Sequence, residues 1–300
     1  MSAVAHRSRF LVRDPRFEDA LGEAPTLECV AEVDAHEGPV YVASEDSLYF
    51  TTVRRESVAI KRLAQANGEV TVVREDANHA NGMTLDREGR LLICEQGTLS
   101  EPARISRLDL ASGTLETIAD SFAHRPFNSP NDVVSRSDGT IWFTDPSYGF
   151  LQGFRPAPAV PDHLYRIDPR SGQVAVAADG FDKPNGLAFS PDERILYVAD
   201  NGAPHHLLAF DVGPDGCLSG RRLIAVGTPG HPDGLKVDAA GRIYASALDG
   251  IQVFDARGDL IGEIDLPGTV NFTFGGPERN VLYITTDTAV WAAVLQTKGA

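Results

Sequence analysis

NDVVSRSDGTIWFTDPSYG, running from Asn131 to Gly149, reads as a polar residue, a short apolar run, a turn and a second run. Asp138-Gly139 supplies the turn chemistry of a tight hairpin, and Ile141-Trp142-Phe143 suits a pleated, half-buried surface. Four other stretches can be laid over it: EGPVYVASEDSLYFTT from Glu37, NGMTLDREGRLLICEQG from Asn81, NGLAFSPDERILYVADNG from Asn185 and DGLKVDAAGRIYASALDG from Asp233. A sixth, weaker copy, NFTFGGPERNVLYITTD, begins at Asn271. The first five starts lie 44, 50, 54 and 48 residues apart. Further strand pairs, such as HLYRIDPRSGQVAVAAD from His163 and HLLAFDVGPDGCLSGRRLIA from His206, fill the intervals.

That period holds about four short strands, and the chain of 300 residues holds about six such units. Short strands at even spacing without long helices mean radial repetition. The expected fold is therefore all-β, a six-bladed β-propeller with four-stranded antiparallel blades. The period is too long for a β-helix, and the repeats run across any midpoint that would divide a sandwich from a barrel. Thr26–Val33 is expected to supply the outer strand of the last blade, closing the ring and hiding its edges. Residues 1–25 form a lead-in segment with a short helix over Arg16–Leu21, and residues 26–300 a single propeller domain.

Composition narrows the function. With 27 Lys+Arg against 42 Asp+Glu the net charge is −15, which opposes nucleic acid and anionic membrane as partners. No run of about 18 apolar residues is present, and the N-terminal MSAVAHRSRFLVRDP lacks the apolar stretch of a secretory signal. Cys29, Cys94 and Cys217 are odd in number and scattered, as in a reducing compartment. A cytoplasmic protein, monomer or homodimer, is expected.

In a propeller the first strand of each blade lies nearest the central channel, so residues just before it converge at one mouth. There stand Glu37, Asn81, Asn131, Asn185, Asp233 and, more weakly supported, Asn271. Every one is an oxygen donor. Carboxylates and amide carbonyls aimed at one axis repel unless a cation sits between them. Oxygen donors without Cys or His select a hard divalent ion, Ca²⁺ first, with Mn²⁺, Mg²⁺ and Zn²⁺ behind it. The plainer reading is that Asn-Gly and Asp-Gly pairs merely turn the chain; their recurrence in register around a ring favours the metal.

These residues also carry a resemblance. The chain resembles the senescence marker protein/gluconolactonase/luciferin-regenerating family from HEGPVY at His36 to FGGPERNVLYIT at Phe274. The most specific stretch is FNSPNDVVSRSDGTIWFTDPSYG from Phe127, which is similar to the bacterial and fungal gluconolactonase-like branch; KPNGLAF from Lys183 and HPDGLKVD from His231 add to it. The resemblance implies one catalytic divalent cation and hydrolysis of sugar lactones, small-molecule substrates. It places the metal ligands at Glu37, Asn131, Asn185 and Asp233, with Asp233 also acting in proton transfer as base or as nucleophile. The animal members carry a small residue at Asn81 and a sugar-binding Arg at Ser129, so their substrate preference does not carry over. Asn81 is expected to contact substrate rather than metal. His231, two residues before Asp233, and Tyr148, after the second strand of the third copy, are further substrate-contact candidates.

Other motifs are weaker. No HExxH, G-x-S-x-G or GxxxxGK is present, which removes support for zincin, serine-hydrolase and nucleotide-binding readings. Asp145 and Asp200, ending matching second strands, read as turn chemistry; His36 is expected to point away from the mouth, and His205-His206 to lie on the surface. The rival activity is an organophosphate or aryl-ester hydrolase on the same fold. The rival from another class is a non-enzymatic scaffold, disfavoured because a docking disc needs no ring of oxygen donors.

Overall fold

The computed structural model describes residues 8–203, 205–227, 230–247 and 249–300. The N-terminal stretch read for a secretory signal lies partly outside the described residues. Six antiparallel sheets follow one another around a channel. The first blade comprises Val40–Val42, Ser47–Thr51, Ile60–Ala64 and Val70–Arg74. The second comprises Ala80–Leu85, Leu91–Glu95, Arg104–Leu108 and Leu115–Ala119, and the third Val133–Ser135, Ile141–Asp145, His163–Ile167 and Val174–Ala178. The fourth runs through Pro184–Phe189, Ile195–Asp200, His206–Val212 and Leu218–Val226. Leu235–Val237, Ile243–Ala247, Gly250–Phe254 and Leu260–Asp265 build the fifth. Asn271–Gly275, Val281–Thr285 and Ala289–Val294 build the sixth, and Thr26–Glu32 completes it from the N-terminal side. This is the expected six-bladed propeller.

The pattern of burial follows from position in the blade. Second strands such as Leu91–Glu95 and Ile141–Asp145 are buried along their whole length, because a neighbouring blade covers each face. Outer strands such as Val70–Arg74 are largely exposed. Six hydrophobic clusters fill the seams between adjacent blades. Between blades two and three, for instance, Cys94 and Ile105 meet Phe143 and Tyr165. The core of the molecule is thus a ring of seams rather than one central mass.

Closure works as expected: Thr26 pairs with Val294 and Glu32 with Ala289. The lead-in segment adds more than a helix. Phe10–Val12 pairs with Leu260–Asp265 as a fifth strand of the fifth blade. The helix, Pro15–Leu21, starts on Asp14, whose side chain accepts the Arg16 N–H at 2.9 Å, and has Pro at its first position. Its Phe17, Ala20 and Leu21 are buried with Phe10 in the seam between blades five and six. Gly262 is where Phe17 lands, and a Cβ there would overlap the ring.

Candidate active site

Glu37, Asn81, Asn131, Asn185 and Asp233 all line one cavity of about 280 Å³ at the end of the channel where the inner strands begin. His36, Thr52, Arg54, Gln96, Tyr148, Gln152 and Asn201 complete much of its wall. A second cavity, of about 360 Å³, lies at the far ends of the same strands, walled by Met83, Leu85, Val133, Leu187, Phe274 and Lys236. It contains none of the five donors.

The glycines that follow Asn81, Asn185 and Asp233 do more than turn the chain. Gly82 and Gly186 donate N–H bonds of 2.8 Å to Asn131 O and 3.0 Å to Asp233 O in the next blade. A Cβ on either would overlap the carbonyl it touches, and one on Gly234 would overlap the Asn271 side chain. Glycine is present because adjacent blades come into backbone contact there. Asn81 and Asn185 also lie within strands, not before them. The pairing register shifts between Ala80 and Met83 and between Pro184 and Leu187, and such irregularities re-aim side chains beside functional sites.

A second layer holds the ring in place. Buried hydroxyls on second strands bind ring-residue backbone: Thr51 Oγ1 donates to Glu37 O at 3.0 Å and Thr144 Oγ1 to Asn185 O at 2.8 Å. Thr285 Oγ1 donates to His36 O, next to Glu37, at 2.5 Å and accepts the Asn271 N–H at 3.3 Å, and Ser246 Oγ accepts the Gly234 N–H at 2.8 Å. Acids ending second strands fix the preceding loops. Asp145 accepts the N–H groups of Asn128 and Ser129 at 2.9 and 2.8 Å, and Asp200 that of Lys183 at 2.7 Å. Glu95 accepts from Asn78 Nδ2 at 2.9 Å. Burial pushes the Asp145 carboxyl up to about 7, against the opposing pull of those two N–H groups.

The ring itself is electrostatically uneven. Asn271, the sixth member, does not offer its carbonyl to the cavity. Its Oδ1 accepts the Phe272 N–H, and its Nδ2 donates to Glu37 Oε2 at 2.7 Å, a bond that orients Glu37. Asp233 Oδ1 and Asn81 Oδ1 are shielded from solvent with no hydrogen-bond partner. Burial, then the charge of Glu37, holds the Asp233 carboxyl well above the usual carboxylate range. A shielded carboxylate oxygen without a donor, close enough to a second carboxylate to feel its charge, fits a cation between them. Among the described residues no three His, Cys, Asp or Glu side chains cluster as a metal site. The donor set here is two carboxylates with amides, the chemistry of a hard ion rather than of zinc.

The outlying candidates sort by position. Tyr148 begins a one-turn helix, Tyr148–Leu151, on the cavity wall, and its OH accepts from Asn185 Nδ2 at 3.5 Å. Burial, reinforced by the Asp233 charge, raises the phenol. His231 is exposed, 3.0 Å from His205 through Nδ1 and Nε2, and is absent from the cavity wall. His36 faces the cavity instead of pointing away, with Nδ1 2.6 Å from Asp287 Oδ1. Burial works against its charged form, yet Asp287, Glu37 and Asp233 together raise it. Gln96 and Asn201 follow the second strands within the quoted copies, where a polar residue before glycine also reads as turn chemistry; Arg54 and Gln152 stand in loops outside the repeats.

Comparison with known proteins follows the same outline. The SMP-30/Gluconolactonase/LRE-like region matches residues 35–288. The chain is 28% identical over 275 residues to a gluconolactonase of Zymomonas mobilis, covering 83% of this chain and 75% of that protein. It is 30% identical over 260 residues to pentonolactonase XacC of Haloferax volcanii, covering 83% and 80%. The solved structure of a gluconolactonase from Xanthomonas campestris superposes with a TM-score of 0.86 at 32% identity, covering 95% of this chain and 94% of that one.

Proposed function

This chain belongs to the SMP-30/Gluconolactonase/LRE-like family, and from that premise we propose that it is a lactonase that hydrolyses sugar lactones with the help of one divalent cation, Ca²⁺ first. The observation that carries the reading is the shielded, unpartnered Oδ1 of Asp233 in a cavity shared with Glu37 and three amides. The names of the Zymomonas and Xanthomonas relatives support the substrate class.

Glu37, Asn131, Asn185 and Asp233 would hold the cation, with Asn271 fixing the Glu37 carboxylate. The cation would supply Lewis acidity toward the lactone carbonyl and lower the pKa of a water. Asp233 then takes the water's proton as the water oxygen bonds to the carbonyl carbon, acting as general base. As the ring C–O bond breaks, Asp233 returns that proton to the departing oxygen, leaving a hydroxy acid. Asn81, whose carbonyl is uncommitted, and Tyr148 orient the sugar hydroxyls.

Hydrolysis of glucono- and pentonolactones, followed by proton release, tests this. Chelation should abolish turnover and lower Tm, since an ion bound by the folded state stabilises it. Asp233→Asn should cut kcat by about 10²-fold or more, whereas Glu37→Gln should be partly rescued by excess Ca²⁺. Full activity in protein shown metal-free by elemental analysis contradicts the metal; identical behaviour of both variants contradicts the division of roles.

A further inference from the structure

Arg54 is the cation of the cavity wall whose partners are all neutral. Its guanidinium lies over the Phe154 ring, 4.3 Å from the centroid, and its Nη2 donates to Gln152 Oε1 at 3.0 Å. Phe154 is held edge-on by His79 at 4.8 Å. Among the described residues Arg54 makes no ion pair, although Arg62, Arg104, Arg107, Arg136 and Arg242 all do. Arg155 and Arg221 also lack a carboxylate, but both spend several donors on backbone carbonyls, whereas Arg54, on the cavity wall, spends one on a side-chain amide. Stacking and one amide bond orient the group while leaving most of its five donors free.

Charge arithmetic gives those donors a purpose. Glu37 and Asp233 contribute two negative charges to the cavity, which a divalent cation cancels. Arg54 then leaves the wall positive, and a neutral lactone offers it only hydroxyls. The rest of the protein repels anions at long range, so an anionic substrate needs a local counter-charge, and Arg54 is placed to be one.

We propose that Arg54 is a specificity residue that binds an anionic group, a carboxylate, phosphate or sulfonate, carried by the sugar lactone away from its reacting carbonyl. The preferred substrates are then acidic lactones, not neutral ones. This rests on the lactonase reading, and the experiment separates the two. kcat/KM is measured for glucono-1,5-lactone, glucaro-1,4-lactone and 6-phosphoglucono-1,5-lactone with wild type, Arg54→Met and Arg54→Lys. Met keeps the stacking bulk and loses the charge; Lys keeps a charge and loses the planar fork. The expected result is a wild-type preference for at least one anionic lactone. The anionic-to-neutral ratio should fall about tenfold or more in Arg54→Met, in line with a charge-assisted hydrogen bond, and recover partly in Arg54→Lys. An unchanged ratio in Arg54→Met, or a wild-type preference for the neutral lactone, overturns the assignment while leaving the lactonase intact. Calorimetric titration with glucarate and 6-phosphogluconate against gluconate reads the same site without turnover. If no lactone is hydrolysed, the lactonase reading fails; a dianion preference lost in Arg54→Met still upholds the anion site, and equal binding of all three acids overturns it.

Discussion

Glu37 owes its orientation to two donors, Asn271 Nδ2 at 2.7 Å and the Gly38 N–H at 3.2 Å, both on Oε2. Its other oxygen is thereby directed without being consumed. Outer partners of this kind tune metal affinity by about 10–100-fold, so Asn271→Ala should weaken Ca²⁺ binding by that order. Asn81→Ala, removing a substrate contact, should leave it within about twofold and lower kcat/KM for sugar lactones instead. Calorimetric titration of the chelated protein with Ca²⁺ compares the two; a large loss in Asn81→Ala would move that residue among the ligands. The sequence exposes all six ring residues, because a polar residue recurring at one point of a repeat is visible without coordinates. It marks Asn271 only as the weaker copy and assigns it no role beside Asn131. Both are asparagines at matching positions, and only the neighbour across the closing seam makes one a support for Glu37. Arg54 was less legible still: the repeats assign no role to the loop that carries it.

Strands place these residues, and the acids at their ends keep the loops in position. Asp145 is buried, accepts two backbone N–H groups, and is pushed up to about 7. Asp145→Asn replaces one acceptor oxygen by a donor and should destabilise by roughly 1–3 kcal/mol. The sign of the pH effect follows from the raised value. Below about pH 4 the carboxyl is protonated folded and unfolded; between there and about 7 the unfolded chain ionises first, so Asp145 erodes stability as pH rises. The gap between wild type and Asp145→Asn should therefore be wider at pH 5 than at pH 7 in denaturant titrations; a constant gap contradicts the buried carboxyl. Asp145, read from FTD as turn chemistry, instead anchors the Asn128–Ser129 loop, a partner that no local pattern reveals. The buried hydroxyls of Thr51, Thr144, Ser246 and Thr285 had a signal too, in YFTT, WFTD, YASA and YITT. They were passed over because a threonine in a strand is also ordinary β-former, and its partner lies in a different segment. The strand Phe10–Val12 was missed because three residues carry no periodicity.

At the scale of the whole ring, six seams share the burial, and the one between blades six and one is kept shut by the N-terminal strand Thr26–Glu32 pairing within blade six. Removing residues 1–13 takes away Phe10 and its short strand, and should lower Tm by about 5 °C while unfolding stays cooperative. Removing residues 1–32 also takes the closing strand, bares the edge at Ala289–Val294, and should leave no cooperative transition by circular dichroism and mostly aggregated protein. A folded, monomeric product of the longer deletion would contradict the closure. The position of that seam also sets an order of events during synthesis. Thr26–Glu32 leaves the ribosome long before its partner strand exists, so the first blades must wait as an open arc. Glu37 stands on one side of the gap and Asn271 on the other, and the bond between them forms only when the arc shuts. The Glu37 carboxylate is therefore held in its final orientation only in the closed ring. A divalent ion held by ligands from several blades should then slow the ring's reopening more than it speeds its making, which unfolding and refolding rates with and without Ca²⁺ would read.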